Sequence, residues 1–400
     1  MRYHLSNKCV LKWLEKPSVY NIKEDELYEL DEEAFNFLQK CASNEGCEIA
    51  TDNKFIDYCI SEGLLTEKPV NAETPLLMKS PNPSLRYLEL QITDNCNLKC
   101  KHCYIGKPEN NELSIEEIEA VLDEFEIMQG LRLLITGGEP LMHKYFNEIN
   151  ALLVKYKFRK VLFTNGLLLQ ENTLKGLNVE EIQVSVDGMQ HGHEAVRGKG
   201  TYRIVMKNIR KAIDSGIAVS IATMIHKENL NEFDEMKDLF ERLKIKDWTV
   251  DVPCIVGRFK ENHILHVPPK IAGKYLNYGF GDGLHGGGEE YACGLHLLSV
   301  LANRSICKCS FYSDKPIGYL KDGIRKTWEK IKPLRLESLE CSAISCRFID
   351  SCRGGCRFRA EITSQGDRKK DIYKCYGYDI IIVEDGHEAM QNPMKGRCQT

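Results

Sequence analysis

Three cysteines fall within eight positions in the stretch TDNCNLKCKHCY: Cys96, Cys100 and Cys103, spaced C-x3-C-x2-C. A structural zinc site takes four ligands and closes on itself. A disulfide framework takes cysteines in pairs and needs an oxidising compartment. Three thiolates instead leave a metal centre with one open position. A second field of nine cysteines runs from Cys293 to the end of the chain, and CSAISCRFIDSCRGGC is its densest part.

Other features narrow the reading. The 400 residues carry a formal net charge of -4, which favours neither nucleic acid nor an anionic membrane as partner. No apolar run reaches the roughly 18 residues that a membrane helix needs, and the amino terminus has no apolar h-region. With 17 cysteines and no secretion signal, the expectation is a cytoplasmic protein whose cysteines bind metal. Cys9, Cys59 and Cys254 read as small buried hydrophobes, with Cys254 inward on a buried strand. Cys41 and Cys47 lack tight ligand spacing, and Cys398 lies in a polar tail.

These residues need elements to position them. Residues 1–82 read as a small α/β unit with helices over YELDEEAFNFLQKCA and NKFIDYCISEGLL, followed by the linker MKSPNPSL. Six strand-like runs then alternate with helices: LRYLELQIT, RLLIT, RKVLFTN, EIQVSVD, AVSIATMI and WTVDVPCIV. Between the first two, Ser114 and Glu117 form a capping box, and Gly130 marks the helix end. This alternation predicts an α/β core over 83–260, a parallel sheet curled into a partial (β/α)6 barrel. Ligands in such folds gather at the carboxyl ends of the strands, and the three-cysteine stretch directly follows the first strand. Past residue 260 the alternation fails. Residues 261–384 are expected to be organised by metal rather than by an apolar core, with 385–400 as a tail. The Gly286–Gly288 run reads as a lead-in, since no Gly-Lys-Ser/Thr follows.

Thiolates are the usual ligands of iron–sulfur clusters. The C-x3-C-x2-C after the first strand, with His102 before its last cysteine, resembles the radical S-adenosylmethionine (SAM) superfamily. The resemblance implies a [4Fe-4S] cluster on Cys96, Cys100 and Cys103 whose free iron chelates SAM; reductive cleavage then gives a 5′-deoxyadenosyl radical that abstracts a substrate hydrogen. TGGEP (Thr136–Pro140) resembles the family's motif for the SAM amino group, which implies cofactor binding by Gly137, Gly138, Glu139 and Pro140: the glycines let the backbone approach the ligand and Glu139 offers an acceptor. TNG, which contains Asn165, follows the third strand. VSVDG and HEAVRGKGTY resemble the segment where Ser185 and Arg197 meet the SAM carboxylate and Asp187 helps to shape the pocket; an arginine fork suits a carboxylate. VPCIVGRF resembles a looser adenine-contacting pattern at Val256 and Arg258.

The later cysteines resemble the SPASM domain, an extension that usually holds two auxiliary [4Fe-4S] clusters. The resemblance implies one cluster on Cys341, Cys346, Cys352 and Cys375. It implies another on Cys293, Cys309 and Cys356, with Cys307 as a fourth ligand or an open iron in its place. The gap from Cys341 to Cys346 is wider than the family's, and the glycine expected ahead of Cys309 is absent. Four-thiolate zinc sites remain the chemical alternative.

SPASM enzymes mostly modify peptides. The first 82 residues look like the small winged-helix element that binds leader peptides in ribosomal-peptide (RiPP) maturases. The expected function is therefore a radical SAM peptide maturase forming a thioether or other cross-link. Its partners would be a precursor peptide with a leader and a low-potential electron donor such as a flavodoxin or ferredoxin. Three alternatives stand beside it: sulfatase-maturase-like oxidation of Cys or Ser to formylglycine, for which Asp251 is the candidate base by strand position; a small-molecule or tetrapyrrole decarboxylase; and a non-catalytic electron-transfer protein.

Overall fold

A computed structural model describes residues 2–48, 53–70, 75–281 and 290–380. The Gly286–Gly288 run, Cys398 and the tail 385–400 lie outside these residues. The six strand-like runs form six neighbouring parallel strands: Tyr87–Thr93, Arg132–Gly137, Arg159–Thr164, Glu181–Ser185, Ala218–Met224 and Trp248–Asp251. Their apolar residues are buried almost without interruption, as expected of a parallel sheet covered by helices. Two apolar cores hold the helices against it, one around Leu88, Phe125 and Phe158, the other around Ile182, Met236 and Trp248.

The helix Ile115–Ile127 starts as its sequence predicts, with Glu117 N–H donating to Ser114 Oγ at 3.2 Å and Ser114 N–H to Glu117 Oε2 at 2.7 Å. Its end differs from expectation. The left-handed residue is Gln129 (φ 66°), not Gly130. Gly130 is required for another reason: a Cβ there would lie 2.3 Å from the Phe125 ring. The last barrel strand also differs, stopping at Asp251. Pro253 lacks the N–H that a ladder needs, so Cys254 lies in the following loop rather than on the strand. It is buried there all the same.

Past residue 260 the sheet continues, which the sequence reading did not foresee. Leu297–Val300 joins parallel to the first barrel strand, and Ser305–Cys307 and Gly318–Tyr319 follow antiparallel, giving nine strands. The cysteine-rich remainder is made of short helices around two small apolar clusters, each containing cysteines.

The amino-terminal unit carries an antiparallel sheet of Cys9–Trp13, Pro17–Asn21 and Glu26–Glu29, with helices Glu32–Cys41 and Asn53–Ser61. The run YELDEEAF, read as helical throughout, is divided. Glu26–Glu29 is an edge strand, and the helix begins only after Asp31, whose carboxylate caps it by accepting from Ala34 N–H at 2.8 Å. The unit is clamped to the barrel through buried polar contacts. Arg159 donates to the Ile22 and Lys23 carbonyls at 2.8 and 2.7 Å and pairs with Glu181 at 2.7 Å. Arg132 reaches Asp25 at 2.7 Å, and Lys12 reaches the Gly130 carbonyl at 2.8 Å. Removing one partner of a buried pair leaves the other charge uncompensated, at a cost of about 3–5 kcal/mol. Glu181 keeps Lys246 at 3.2 Å, so Arg159→Ala should lower the unfolding free energy from urea titration by at most about that amount and speed proteolysis in the linker before residue 85. Unchanged free energy and cleavage would refute the clamp.

Candidate functional site

The first barrel strand ends at Thr93, and the chain then enters the three-cysteine loop. Backbone contacts hold it in place. Gly138 N–H donates to Thr93 O at 2.8 Å, Glu139 N–H to Asn95 O at 2.7 Å, and Arg258 N–H to Cys103 O at 2.9 Å. A Cβ on Gly138 would lie 2.3 Å from Asn95 O, and one on Gly257 2.4 Å from Cys103 O. Both glycines are therefore dictated by close approach of main chain to the cysteine loop. The role of Gly257 was not anticipated, because a single glycine between Val256 and Arg258 gives no signal of its own.

Cys96, Cys100 and Cys103 lie within electrostatic reach of one another and line a cavity of about 300 Å³. The same cavity wall contains Gly137, Gly138 and Asn165 from the second and third strand ends, and Ser185, Asp187 and Arg197 from the fourth. Arg258 also lines it, while Val256 packs into the neighbouring apolar cluster. Donors converge on the sulfurs: Leu98 N–H at 3.4 Å and Asn165 Nδ2 at 3.9 Å on Cys96, and Arg197 Nη1 at 3.8 Å on Cys100. Burial pushes the Cys96 thiol up to about 11, so deprotonation there calls for a cation or metal at the site.

Asp187 is fully buried and surrounded by donors. Arg197 Nε lies at 2.5 Å, Met224 N–H at 2.8 Å and His102 Nε2 at 3.2 Å. Burial alone would raise its carboxyl, but Arg197, then His102 and His226, outweigh that and hold it well below the usual carboxylate range. Burial lowers His102 to about 4 against the pull of Asp187. His102 thus links the cysteine loop to the fourth strand.

Glu139 and Pro140 take a different place from the rest of their motif. Glu139 is fully buried, and its carboxylate accepts from Thr164 Oγ1 at 2.8 Å, Asn165 N–H at 2.8 Å and Leu141 N–H at 3.3 Å. It ties the second strand end to the third. Thr136, Gly137 and Gly138 line the cavity.

The later cysteines form two groups. Cys375 lies within electrostatic reach of Cys341, Cys346 and Cys352. Cys309 feels Cys293 and Cys356, and all three of these line a second cavity of about 650 Å³ that also contains Asp251. Cys307 is buried in the apolar cluster against which Cys309 and Cys356 pack; on its strand opposite Ser299, its thiol is met by the Ser305 hydroxyl and feels Glu89 and Asp314. Asp371 accepts from Cys356 N–H at 2.8 Å and from Arg359 Nη2 at 2.7 Å. Arg359 also pairs with Asp251, so that carboxylate is already engaged by a cation. The CRGGC glycines have positive φ (78° and 70°), and a Cβ on Gly355 would lie 2.5 Å from the Asp371 carboxylate. In the amino-terminal unit Cys9, Cys41 and Cys59 pack in the core, with Cys41 beside Cys47.

Among the described residues no three Cys, His, Asp or Glu side chains converge at the spacing of a single metal ion. Cys96, Cys100 and Cys103 line one cavity, and thiolates are the usual ligands of iron–sulfur clusters. The residues therefore fit the group that the motif implies.

Residues 90–240 match the family described as the radical SAM superfamily. The chain is 33% identical over 161 residues to Fe-coproporphyrin III synthase of Methanosarcina barkeri, covering 38% of this chain and 40% of that protein. It is 32% identical over 205 residues to the antilisterial bacteriocin subtilosin biosynthesis protein AlbA of Bacillus subtilis, covering 49% and 45%. It thus spans less than half the length of either. Among solved structures, Streptococcus suis SuiB bound to precursor peptide SuiA superposes with a TM-score of 0.66 over 93% of this chain and 99% of that one. At 16% identity this is a shared fold.

The Glu139 geometry carries a pH signature. Burial raises its carboxyl from 4.5 to about 7 despite the donors from Asn165, Thr164 and Leu141. A raised folded-state value favours the protonated form in the native state. Its contribution is then fully present below the unfolded value and is lost as pH rises through about 7. Between pH 5 and 8, ligand-free protein should lose about 2.5 kcal/mol through this group. Glu139→Gln should flatten that slope in anaerobic urea titrations; equal slopes would remove Glu139 from the account.

Proposed function

Because the chain carries a radical SAM domain over residues 90–240, we infer that it is a radical SAM peptide maturase acting on a precursor peptide. The observation that carries this reading is the extent of the shared fold. The likeness to SuiB, solved with its precursor peptide, covers 93% of the chain, so it takes in the amino-terminal unit and the cysteine-rich end as well as the barrel. The similarity to a bacteriocin biosynthesis protein points the same way.

Cys96, Cys100 and Cys103 would hold a [4Fe-4S] cluster. With SAM bound, that group supplies a 5′-deoxyadenosyl radical able to remove hydrogen from a peptide residue. The chain's own residues do the rest. Arg197 is held in place by Asp187 through Nε and retains further N–H donors for the SAM carboxylate, next to Ser185. The Thr136–Gly138 main chain offers carbonyl acceptors to the ammonium, since the Glu139 carboxylate is occupied by internal donors. Asn165 and Arg197 direct N–H groups at cysteine sulfurs, which stabilises negative charge there. Two further [4Fe-4S] clusters would sit on Cys341, Cys346, Cys352 and Cys375, and on the group that contains Cys293, Cys309 and Cys356.

A long flexible substrate needs tethering. The strand Glu26–Glu29 is the edge of its sheet, and an added leader strand would bind there through main-chain hydrogen bonds. A low-potential donor such as flavodoxin or ferredoxin would supply electrons. The formylglycine alternative is weakened by the Arg359 pairing of Asp251, its candidate base. A tetrapyrrole reaction is favoured by the similarity to Fe-coproporphyrin III synthase, but it gives the amino-terminal unit no task.

Anaerobic reconstitution should load about 12 iron atoms, four in each of three clusters; about four iron with zinc would overturn the auxiliary clusters. Cys100→Ala should abolish dithionite-dependent 5′-deoxyadenosine formation, and persistence would refute the site. Co-expression with a short open reading frame encoded beside this gene, followed by mass spectrometry, tests the substrate class. A mass change confined to the peptide, reduced by Cys352→Ala more than SAM cleavage is, is the expected result.

A further inference from the structure

Cys254 has no role in the reaction as outlined, yet its position is unusual for a packing cysteine. It follows the last barrel strand, past Pro253, and is 7% exposed. It belongs to the apolar cluster of Leu301, Cys307, Tyr312 and Phe358, against which Cys309 and Cys356 also pack. The charged or ionisable side chain that bears most strongly on its thiol is Cys356. It also lines the cavity of the first three cysteines, while Cys293, Cys309 and Cys356 line the adjoining one. Asp251, three residues before it, is paired with Arg359, so the loop carrying Cys254 is anchored to the segment that bears Cys356.

The group of Cys293, Cys309 and Cys356 is one thiol short of the four that close a [4Fe-4S] cluster. Cys307 is next but one to Cys309 in sequence and shares the cluster, but its thiol is bonded to the Ser305 hydroxyl and no cysteine is among the groups that bear on it, whereas Cys356 bears on Cys254. We propose that Cys254, from the barrel, is the fourth thiolate ligand of the auxiliary cluster held by Cys293, Cys309 and Cys356. This rests on the auxiliary-cluster reading above. Its consequence is that this cluster is closed by the protein and presents no open iron to a substrate thiol. It also joins the barrel and the cysteine-rich segment through a shared metal group.

The test isolates the auxiliary clusters by replacing Cys96, Cys100 and Cys103 with alanine in the full chain, then reconstituting with iron and sulfide. This parent should hold about 8 iron atoms, and the paramagnetic resonance spectrum of its dithionite-reduced form should not respond to 2-mercaptoethanol. Adding Cys254→Ala should shift one cluster's signal and make it responsive to that thiol. Adding Cys254→Ser, which keeps an oxygen donor, should shift the same signal while iron stays near 8. Cys307→Ala should change nothing. A thiol response in the parent, or the same shift from Cys307→Ala, overturns the Cys254 assignment alone. A parent with zinc and little iron overturns the auxiliary clusters, and the assignment with them.

Discussion

A buried, ionised carboxylate must be surrounded by donors, and Asp187 is where this chain meets that requirement. Its own strand supplies it, but its partners come from elsewhere: His102 from the cysteine loop, Arg197 from the next helix, Met224 N–H from the fifth strand. His226 and Asn229 bond its carbonyl at 2.9 and 3.0 Å. An unpaired charge at such depth would be prohibitive, so each partner is held where Asp187 needs it. Arg197 is thereby aimed into the cavity and at Cys100. The electrostatics of the site follow from this single carboxylate.

The cysteine-rich end uses the same device. Asp371, buried at 1% exposure, caps its own helix and binds both Cys356 N–H and the Arg359 guanidinium. Arg359 in turn reaches Asp251 at the end of the last barrel strand. A region with only small apolar clusters gains its connection to the barrel from this chain of charges and from the sheet strand Leu297–Val300. The CRGGC glycines are part of the arrangement, since a side chain at Gly355 would displace Asp371.

The barrel strands were legible in the sequence because each is a buried, β-branched run bounded by helix signals. The capping box at Ser114 was legible for a similar reason: its chemistry is local. What escaped depends on partners distant in sequence. Leu297–Val300 is four residues long in a glycine-rich, cysteine-rich context, and only the exposed edge of the first barrel strand makes it a strand. The division of YELDEEAF into strand and helix depends on Pro17–Asn21 pairing with Glu26–Glu29. Among the site residues, the motif cysteines, Asn165, Ser185, Asp187 and Arg197 converge on one cavity. Glu139, an expected ligand contact, accepts from Thr164 and Asn165, a tie between strand ends that the motif alone does not announce.

The three cysteine groups differ in what faces them, and that difference bears on function more than their number does. The first looks into a cavity lined by Arg197, Ser185 and bare main chain, groups able to take up a zwitterion. The group around Cys375 lies among short helices, with Cys352 reaching the wall of the second cavity. The group of Cys293, Cys309 and Cys356 lies between, in a cavity that adjoins the first through Ser310 and Phe311, which line both. A metal group there would stand beside whatever occupies the first cavity, with Cys254 and Asp251 marking the boundary. Its coordination therefore decides whether that boundary is a wall or a binding surface. Closure by Cys254 makes it a wall. An electron could cross a closed cluster, whereas a substrate thiol would need an open iron to bind.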